Sequence, residues 1–440
     1  MSRKMVMAGL ATACLMAFSA GSHAAPTEIT WWHAMTNALG DWVTDLTNEF
    51  NERNPDCHLT STYKGSYDQV MTTGISAARA HRAPNILQVF EVGTATMMNS
   101  RGAVKPVGDI MKEAGYDFDP KKYISAVYGY YSLPDGRMMS FPFNSSTTVM
   151  YINADLFKKA GLSVEADKLP KTWGDLMKAT EALKKAGVAC PMTTSWMGWT
   201  QLESFASWHN TEFASKNNGF GGLDARLLAN GPLFERHIAD LEKMAKEGLF
   251  VYKGRGNLPD AAFYSGECAI TMGSSAALGN IRKNAKFEFR TVPMPYYADV
   301  KDAPQNTIIG GASLWAMNGK SKAEDVCVAK FFKFLSDPKV QASNHMRTGY
   351  LPVTHEAYEL ARESGYYEKN PGADVSVKQM MKTTEKSRGL RLGYMPQIRT
   401  IVDEELEKVW AGKAHAKEAL DAIVKRGNEQ LERFQRVISK

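Results

Sequence analysis

Several common enzyme signatures are missing from this chain. It has no GxSxG elbow, no HExxH pair, no phosphate-cradling GxxxxGK[ST] loop and no GxGxxG turn, so neither the usual hydrolase and metalloprotease centres nor a nucleotide site has a sequence basis. The 9 histidines are scattered, none at a metal-ligand spacing to another. Cysteine is scarce, 5 in 440 residues. Cys57, Cys190, Cys268 and Cys327 lie too far apart for a CxxC motif or a disulfide-rich scaffold. One bridge is compatible with an oxidising compartment, but spacing does not say which. Beyond the N-terminus no run of about 20 apolar residues occurs, so no membrane-spanning helix is expected. Repeats, low-complexity tracts and long linkers are missing as well.

The N-terminus reads as an export signal, with Arg3 and Lys4 before an uncharged small and apolar stretch and Ser22-His23-Ala24 as the cleavage site. Cleavage removes two positive charges and brings the net charge from +6 to +4, a mild value spread along the chain that argues against nucleic-acid binding. The expected location is the periplasm. The mature length and a hydrophobic fraction of 44% can fill two cores, so two lobes are expected.

Short β-like runs alternate with amphipathic helices, the α/β pattern. Strands are expected over 28–35, 58–63, 85–90, 149–153, within 263–272 after an aromatic turn, and over 308–315, the last broken by a glycine pair. Helices are expected over 37–53, from Thr172 with Asp175 closing a capping box, after 273–275, over 323–336, and through most of the last 80 or so residues.

The segment 388–399 carries the most specific chemistry. It holds Arg388, Arg391 and Arg399 among two glycines and a tyrosine. Pro396 opens an amphipathic helix with Arg399 expected in its first turn, where a guanidinium fork beside free N–H groups suits a phosphate or carboxylate. The alternative is ordinary surface charge. Ser274 and Ser275 stand at a strand-to-helix junction, as anion donors or plain caps. Ser145 and Ser146 precede a strand, as donors or a solvated turn. Gly310 and Gly311 admit a ligand close to the backbone, or mark a bulge. Trp196, Trp199, Tyr67 and Tyr350 are flat walls and phenolic donors for a polyol, or core packing. Glu91 ends an apolar strand, where ligands of open α/β sheets collect, and it could accept from substrate hydroxyls.

Long runs then carry a family resemblance: Tyr-Lys-Gly-Ser-Tyr (63–67), Leu-Gln-Val-Phe-Glu-Val-Gly-Thr-Ala-Thr-Met-Met (87–98), Phe-Ala-Ser-Lys-Asn-Asn-Gly-Phe (213–220), Pro-Gln-Asn-Thr-Ile-Ile-Gly-Gly-Ala-Ser-Leu-Trp (304–315), Arg-Thr-Gly-Tyr-Leu-Pro (347–352), Tyr-Glu-Lys-Asn-Pro-Gly-Ala-Asp (367–374) and Met-Pro-Gln-Ile-Arg (395–399). Across essentially the whole mature chain the sequence resembles the periplasmic glycerol-phosphate-binding receptors of ABC importers, within the maltose-binding type of extracellular solute-binding protein. The resemblance implies a two-lobed α/β (type II, Venus-flytrap) fold after a signal at 1–24. One lobe would comprise 25–143 and 305–349, the other 144–304 and 350–440. It also implies a ligand set of Tyr67, Glu91, Ser146, Ser274, Gly311, Tyr350 and Arg399, with Trp196 and Trp199 as a cleft wall. The implied ligand is sn-glycerol-3-phosphate or a glycerophosphodiester. The implied partners are two permease subunits and an ATPase dimer, with the receptor itself a monomer, without cofactor or metal and without catalysis. The rivals are an oligosaccharide receptor of the same fold and a periplasmic phosphodiesterase.

Overall fold

The computed structural model describes residues 25–381 and 383–440, and the expected export signal at 1–24 lies outside them. Its strands are β1 (Thr27–His33), β2 (Cys57–Tyr63), β3 (Ile86–Phe90), β4 (Val104–Lys105), β5 (Phe141–Asn153), β6 (Cys190–Thr194), β7 (Cys268–Ser274), β8 (Phe289–Val292) and β9 (Ile309–Met317). They follow the order β2-β1-β3-β9-β5-β7-β6, with β4 on β9 and β8 on β5. β1 is parallel to β2 and β3, whereas β9 runs antiparallel between β3 and β5.

β5 connects the two lobes. Its first half pairs with β9, from Phe141↔Leu314 to Thr147↔Ile309, and its second half pairs with β7 and β8. One core gathers Ile29, Trp31, Val43, Phe50, Val328 and Phe331 around the first strands. A second gathers Leu176, Leu183, Phe234, Leu241, Ile270 and Ile398 and continues through the waist to Leu87 and Val89. The helix Asn37–Arg53 buries Trp42, Val43, Leu46 and Phe50, the spacing that places them on one face. The box at Thr172 closes as expected, each residue accepting from the other's backbone N–H at 3.1 Å.

Some local expectations change. The polar run 144–148 is buried strand, not a lead-in turn; Gln88 donates to Asn144 at 3.0 Å and Thr148 bonds Ser204 at 2.8 Å, while Ser145 Oγ has no partner among the described residues. β9 is continuous, its glycines pairing with Ser145 and Ser146 just beyond a register shift in β5 between Pro142 and Asn144. Ser274 ends β7, and the helix that follows, Ala277–Asn284, has Ala276 as its cap residue. Past Tyr350 the chain stays beside the first lobe's elements: Ile124 N–H donates to Val353 at 3.0 Å, and the helix His355–Glu363 packs on Pro338–Thr348.

There are two disulfides, where the sequence admits one bridge without identifying it. Cys57–Cys327 ties β2 to the helix Lys322–Leu335, and Cys190–Cys268 joins adjacent strands β6 and β7. Each sheet region carries one.

Candidate functional site

Each side chain of the site sits at the end of an element or at an irregularity in one. β3 is buried along all five residues, so Glu91, immediately beyond it, is held at 4% exposure. Ser66 and Gln69 form a capping box that starts the helix Tyr67–Arg79 and places Tyr67 at its first position. A π-helical turn over Trp199–Glu203 sets Trp199 and Glu203 beside the waist. The helix Met395–Trp410 brings Arg399 as its fifth residue, one position past the expected first turn.

All nine residues of the implied ligand set and cleft wall line one cavity of about 330 Å³. A larger surface groove of about 740 Å³, along 116–123 and 330–338, shares none of them.

Arg399 is the best-anchored group. Its Nε donates to Glu203 Oε1 at 2.8 Å, and its Nη2 donates to Glu203 Oε2 and to Glu91 Oε1, both at 2.6 Å. The side chains are 14%, 1% and 5% exposed for Arg399, Glu203 and Glu91, so the triad is nearly dry. Among the described residues Nη1 has no protein hydrogen-bond partner, and Arg399 lines the cavity. Burial opposes the guanidinium's charge, but Glu203 and then Glu91 outweigh it and hold its pKa above the ordinary value. Glu91 is shifted upward: burial dominates, Arg399 opposes it and Glu203 adds repulsion.

The tyrosines form the opposite wall. Tyr67 OH accepts from Asn144 Nδ2 at 2.9 Å, and its ring stacks on Phe90 at 5.4 Å and approaches Trp196 at 6.4 Å. Tyr350 OH reaches Met35 Sδ at 3.7 Å. Burial raises both phenol pKa values, so each hydroxyl keeps its proton and can donate.

The glycine pair is required by close packing. A Cβ on Gly310 would stand 2.3 Å from the Trp199 ring, whose Nε1 donates to Ile309 O at 3.4 Å. Gly311 has φ +82°, and a Cβ there would meet Asn144 O at 1.8 Å, so the backbone at this point requires glycine. Trp196 adopts φ +52°, a conformation an aromatic residue rarely takes, with its N–H bonded to Gly256 O at 2.8 Å.

Within the serine pairs the structure separates roles. Ser146 and Ser274 reach the cavity; Ser275 Oγ instead accepts from Thr147 N–H at 3.4 Å, and Ser145 Oγ is buried without a partner. Ser274 Oγ also accepts from Ala276 N–H at 3.2 Å. The other two arginines of 388–399 turn away from the cavity. Arg388 and Arg391 stack on Phe220 at 4.1 and 4.3 Å, and Arg391 donates to the carbonyls of Gly129, Tyr130 and Ser132 at 3.1, 2.6 and 2.9 Å. Burial pushes the Arg391 pKa down to about 10.

Sequence reasoning missed Glu203 and Asp260. The available signal was an acid inside an apolar run, Leu-Glu-Ser-Phe-Ala at 202–206, and a lone aspartate after Pro259. Among the described residues, no group of three His, Cys, Asp or Glu side chains is placed to hold a metal ion. The cavity thus presents a guanidinium nitrogen, four hydroxyls, a backbone N–H, carboxylate acceptors and two indoles, which suits a small ligand with an anionic end and hydroxyls.

The model of the bacterial extracellular solute-binding protein family matches residues 45–374. The chain is 52% identical over 419 residues to the sn-glycerol-3-phosphate-binding periplasmic protein UgpB of Escherichia coli, covering 94% of this chain and 95% of that protein, and equally so to its Shigella flexneri counterpart. Among solved structures, UgpB from Mycobacterium tuberculosis in complex with glycerophosphocholine shares the fold at a TM-score of 0.78, with 22% identity over 92% of this chain and 98% of that one. A cyclic alpha-maltosyl-1,6-maltose binding protein from Arthrobacter globiformis shares it at a TM-score of 0.72, with 21% identity over 93% of this chain and 100% of that one.

Proposed function

Because the chain belongs to the bacterial extracellular solute-binding proteins, we propose that it is the periplasmic receptor of an ABC importer, capturing sn-glycerol-3-phosphate or its phosphodiesters between its lobes. Export by the segment 1–24 belongs to the same proposal, as do delivery to two permease subunits driven by an ATPase dimer, action as a monomer and the absence of catalysis. In this proposal one lobe comprises 25–143 and 305–349 and the other 144–304 and 350–440.

The observation that carries the ligand assignment is the one Arg399 nitrogen left without a protein partner beside Ser146, Ser274, Tyr67, Tyr350 and the Gly311 N–H. These donors surround a phosphate, and Glu91 and the indoles receive the glycerol hydroxyls and carbon chain. Glu203 fixes the guanidinium in a dry site, so little reorganisation accompanies binding. Because the donors belong to both lobes, ligand joins the two walls and shifts the population toward the closed form.

Indole walls also suit a sugar, the ligand of several proteins with this fold. Thermal unfolding with glycerol-3-phosphate, inorganic phosphate or maltose separates the two. Glycerol-3-phosphate is expected to raise the midpoint in proportion to the logarithm of its concentration, and maltose to leave it unchanged. A shift with maltose alone would overturn the assignment.

A further inference from the structure

Tyr67 lines the cavity, and two buried amides behind it restrict where its hydroxyl proton can go. β3 carries one polar residue in an otherwise apolar run, Gln88 in Ile-Leu-Gln-Val-Phe, and it is wholly buried. Just past β1, the Ala34 N–H donates to Gln88 Oε1 at 2.8 Å. A backbone N–H can only donate, so the oxygen of the Gln88 amide must face it and the nitrogen must face away. That nitrogen, Nε2, donates to Asn144 Oδ1 at 3.0 Å, within β5, where Asn144 is also wholly buried. The Asn144 amide is oriented in its turn. Its Nδ2 donates to Tyr67 OH at 2.9 Å and otherwise meets only Met35 Sδ, a weak acceptor, at 3.9 Å.

A phenol that accepts from Asn144 must send its own proton elsewhere. Among the described residues no carbonyl or carboxylate takes the Tyr67 proton. The Tyr350 hydroxyl lies beside it and itself meets only Met35 Sδ, at 3.7 Å. A proton shared between the two phenols therefore still leaves one to donate into the cavity. Chains of buried hydrogen bonds running in one direction also polarise each other, which strengthens the last donor.

We propose that Gln88 and Asn144 are positioning residues of the ligand site: two amides anchored on the Ala34 N–H set Tyr67 as a hydrogen-bond donor to the bound ligand. The ligand atom it meets must then be an acceptor, as an anionic oxygen is, and a group that can only donate is rejected. This rests on the glycerol-phosphate reading above, which supplies that oxygen. Neither residue touches the ligand; both act through Tyr67.

Calorimetric titration of the exported protein with glycerol-3-phosphate tests the relay. Gln88→Glu keeps the shape and still accepts from Ala34, but an ionised carboxylate has no N–H for Asn144. The Asn144 amide then turns its nitrogen toward position 88 and its oxygen toward Tyr67, which draws the phenol proton out of the cavity. Affinity is expected to fall about tenfold or more near pH 8, the scale of one hydrogen bond to a charged group. It should recover toward wild type as pH falls to about 5, because a buried carboxyl protonates early and then donates as the amide did. Taking the ratio of variant to wild type at each pH removes the titrations both share, those of Glu91, Asp260, Asp403 and the ligand phosphate. His33, which accepts from the Met35 N–H at 3.2 Å and is lowered by burial to about 4, stays neutral throughout. A ratio that does not change with pH would overturn the relay.

In a Tyr67→Phe background the loss from Gln88→Glu should largely vanish, whereas a loss of the same size there would mark a plain charge effect and overturn the relay. Should Gln88→Glu not fold, the uncharged Asn144→Ala provides the same cycle. It is expected to weaken binding several-fold in the wild-type background and hardly at all beside Tyr67→Phe, and equal losses in both would overturn the relay. Binding by wild type with such additive losses would remove only the relay. Failure of wild type to bind glycerol-3-phosphate would remove the receptor reading and the relay's ligand with it.

Discussion

Arg399 grips both oxygens of Glu203, Nε to one at 2.8 Å and Nη2 to the other at 2.6 Å, across 196 residues of sequence. This fork is why a single arginine can hold one fixed direction in the cavity. Glu203 is almost wholly buried, so the pair is desolvated and each member depends on the other.

Removing the guanidinium therefore has two consequences. Arg399→Ala is expected to abolish measurable ligand binding and to destabilise the protein by roughly 3–5 kcal/mol, since Glu91 and Glu203 are left buried without a cation. Glu203→Gln in the same background should restore part of that stability. Denaturant unfolding of the two single variants and the double variant provides the cycle, and strict additivity would contradict the coupling.

Gly310→Ala and Gly311→Ala should fail differently. At Gly310 the added methyl meets the Trp199 ring, which must move, so the tryptophan emission should shift while folding persists. At Gly311 the methyl meets backbone at a positive φ, and a loss of stability of about 1–3 kcal/mol is expected. Emission and unfolding curves measured together separate the two effects, and identical behaviour would contradict them.

Asp260 gives a pH signature. Burial raises its pKa to about 7, above the ordinary value of 3.8. Between these values the folded state holds a proton that the unfolded state has released, so its contribution to stability is greatest at low pH. That contribution is lost as pH rises through about 7. Buried histidines such as His209, lowered to about 4, slope the other way, so the difference between wild type and Asp260→Asn is the quantity to measure. Asp260→Asn is expected to stabilise the ligand-free protein relative to wild type increasingly from pH 5 to pH 8. A flat difference would contradict the buried, cation-free carboxylate.

The disulfides should contribute unequally. Cys57–Cys327 spans 270 residues and Cys190–Cys268 spans 78, a difference of about 1 kcal/mol in loop-closure entropy. Unfolding of the two Cys-to-Ser pair variants checks the order, and a larger loss from the shorter bridge would contradict it.

The parts of the site legible in the sequence are those whose chemistry is local. An acid ending an apolar strand, a glycine pair inside a strand and an arginine just after a helix-opening proline each announce themselves by type and position. Glu91, Gly311 and Arg399 were found in that way, and the resemblance completed the set. The illegible parts depend on partners distant in sequence. The run at 144–148 reads as a turn, and its burial as strand depends on distant partners such as Gln88 for Asn144 and Ser204 for Thr148. Glu203 reaches the waist through a π turn that periodicity does not encode. Arg391 resembles Arg399 in sequence, yet three carbonyls from 129–132 take its donors. The α/β class follows from the alternation of elements, whereas the packing of the helix His355–Glu363 on Pro338–Thr348 is a tertiary outcome.

The central claim is that the cavity around Arg399 is an anion site for glycerol phosphates. Calorimetric titration of the exported protein with glycerol-3-phosphate, alongside Arg399→Ala and maltose, tests it most directly. The expected result is one site per chain with dissociation constant in the micromolar range or below, about −8 kcal/mol or tighter, lost in Arg399→Ala and not reproduced by maltose. Unchanged affinity in Arg399→Ala, or binding of maltose in place of glycerol-3-phosphate, would contradict it.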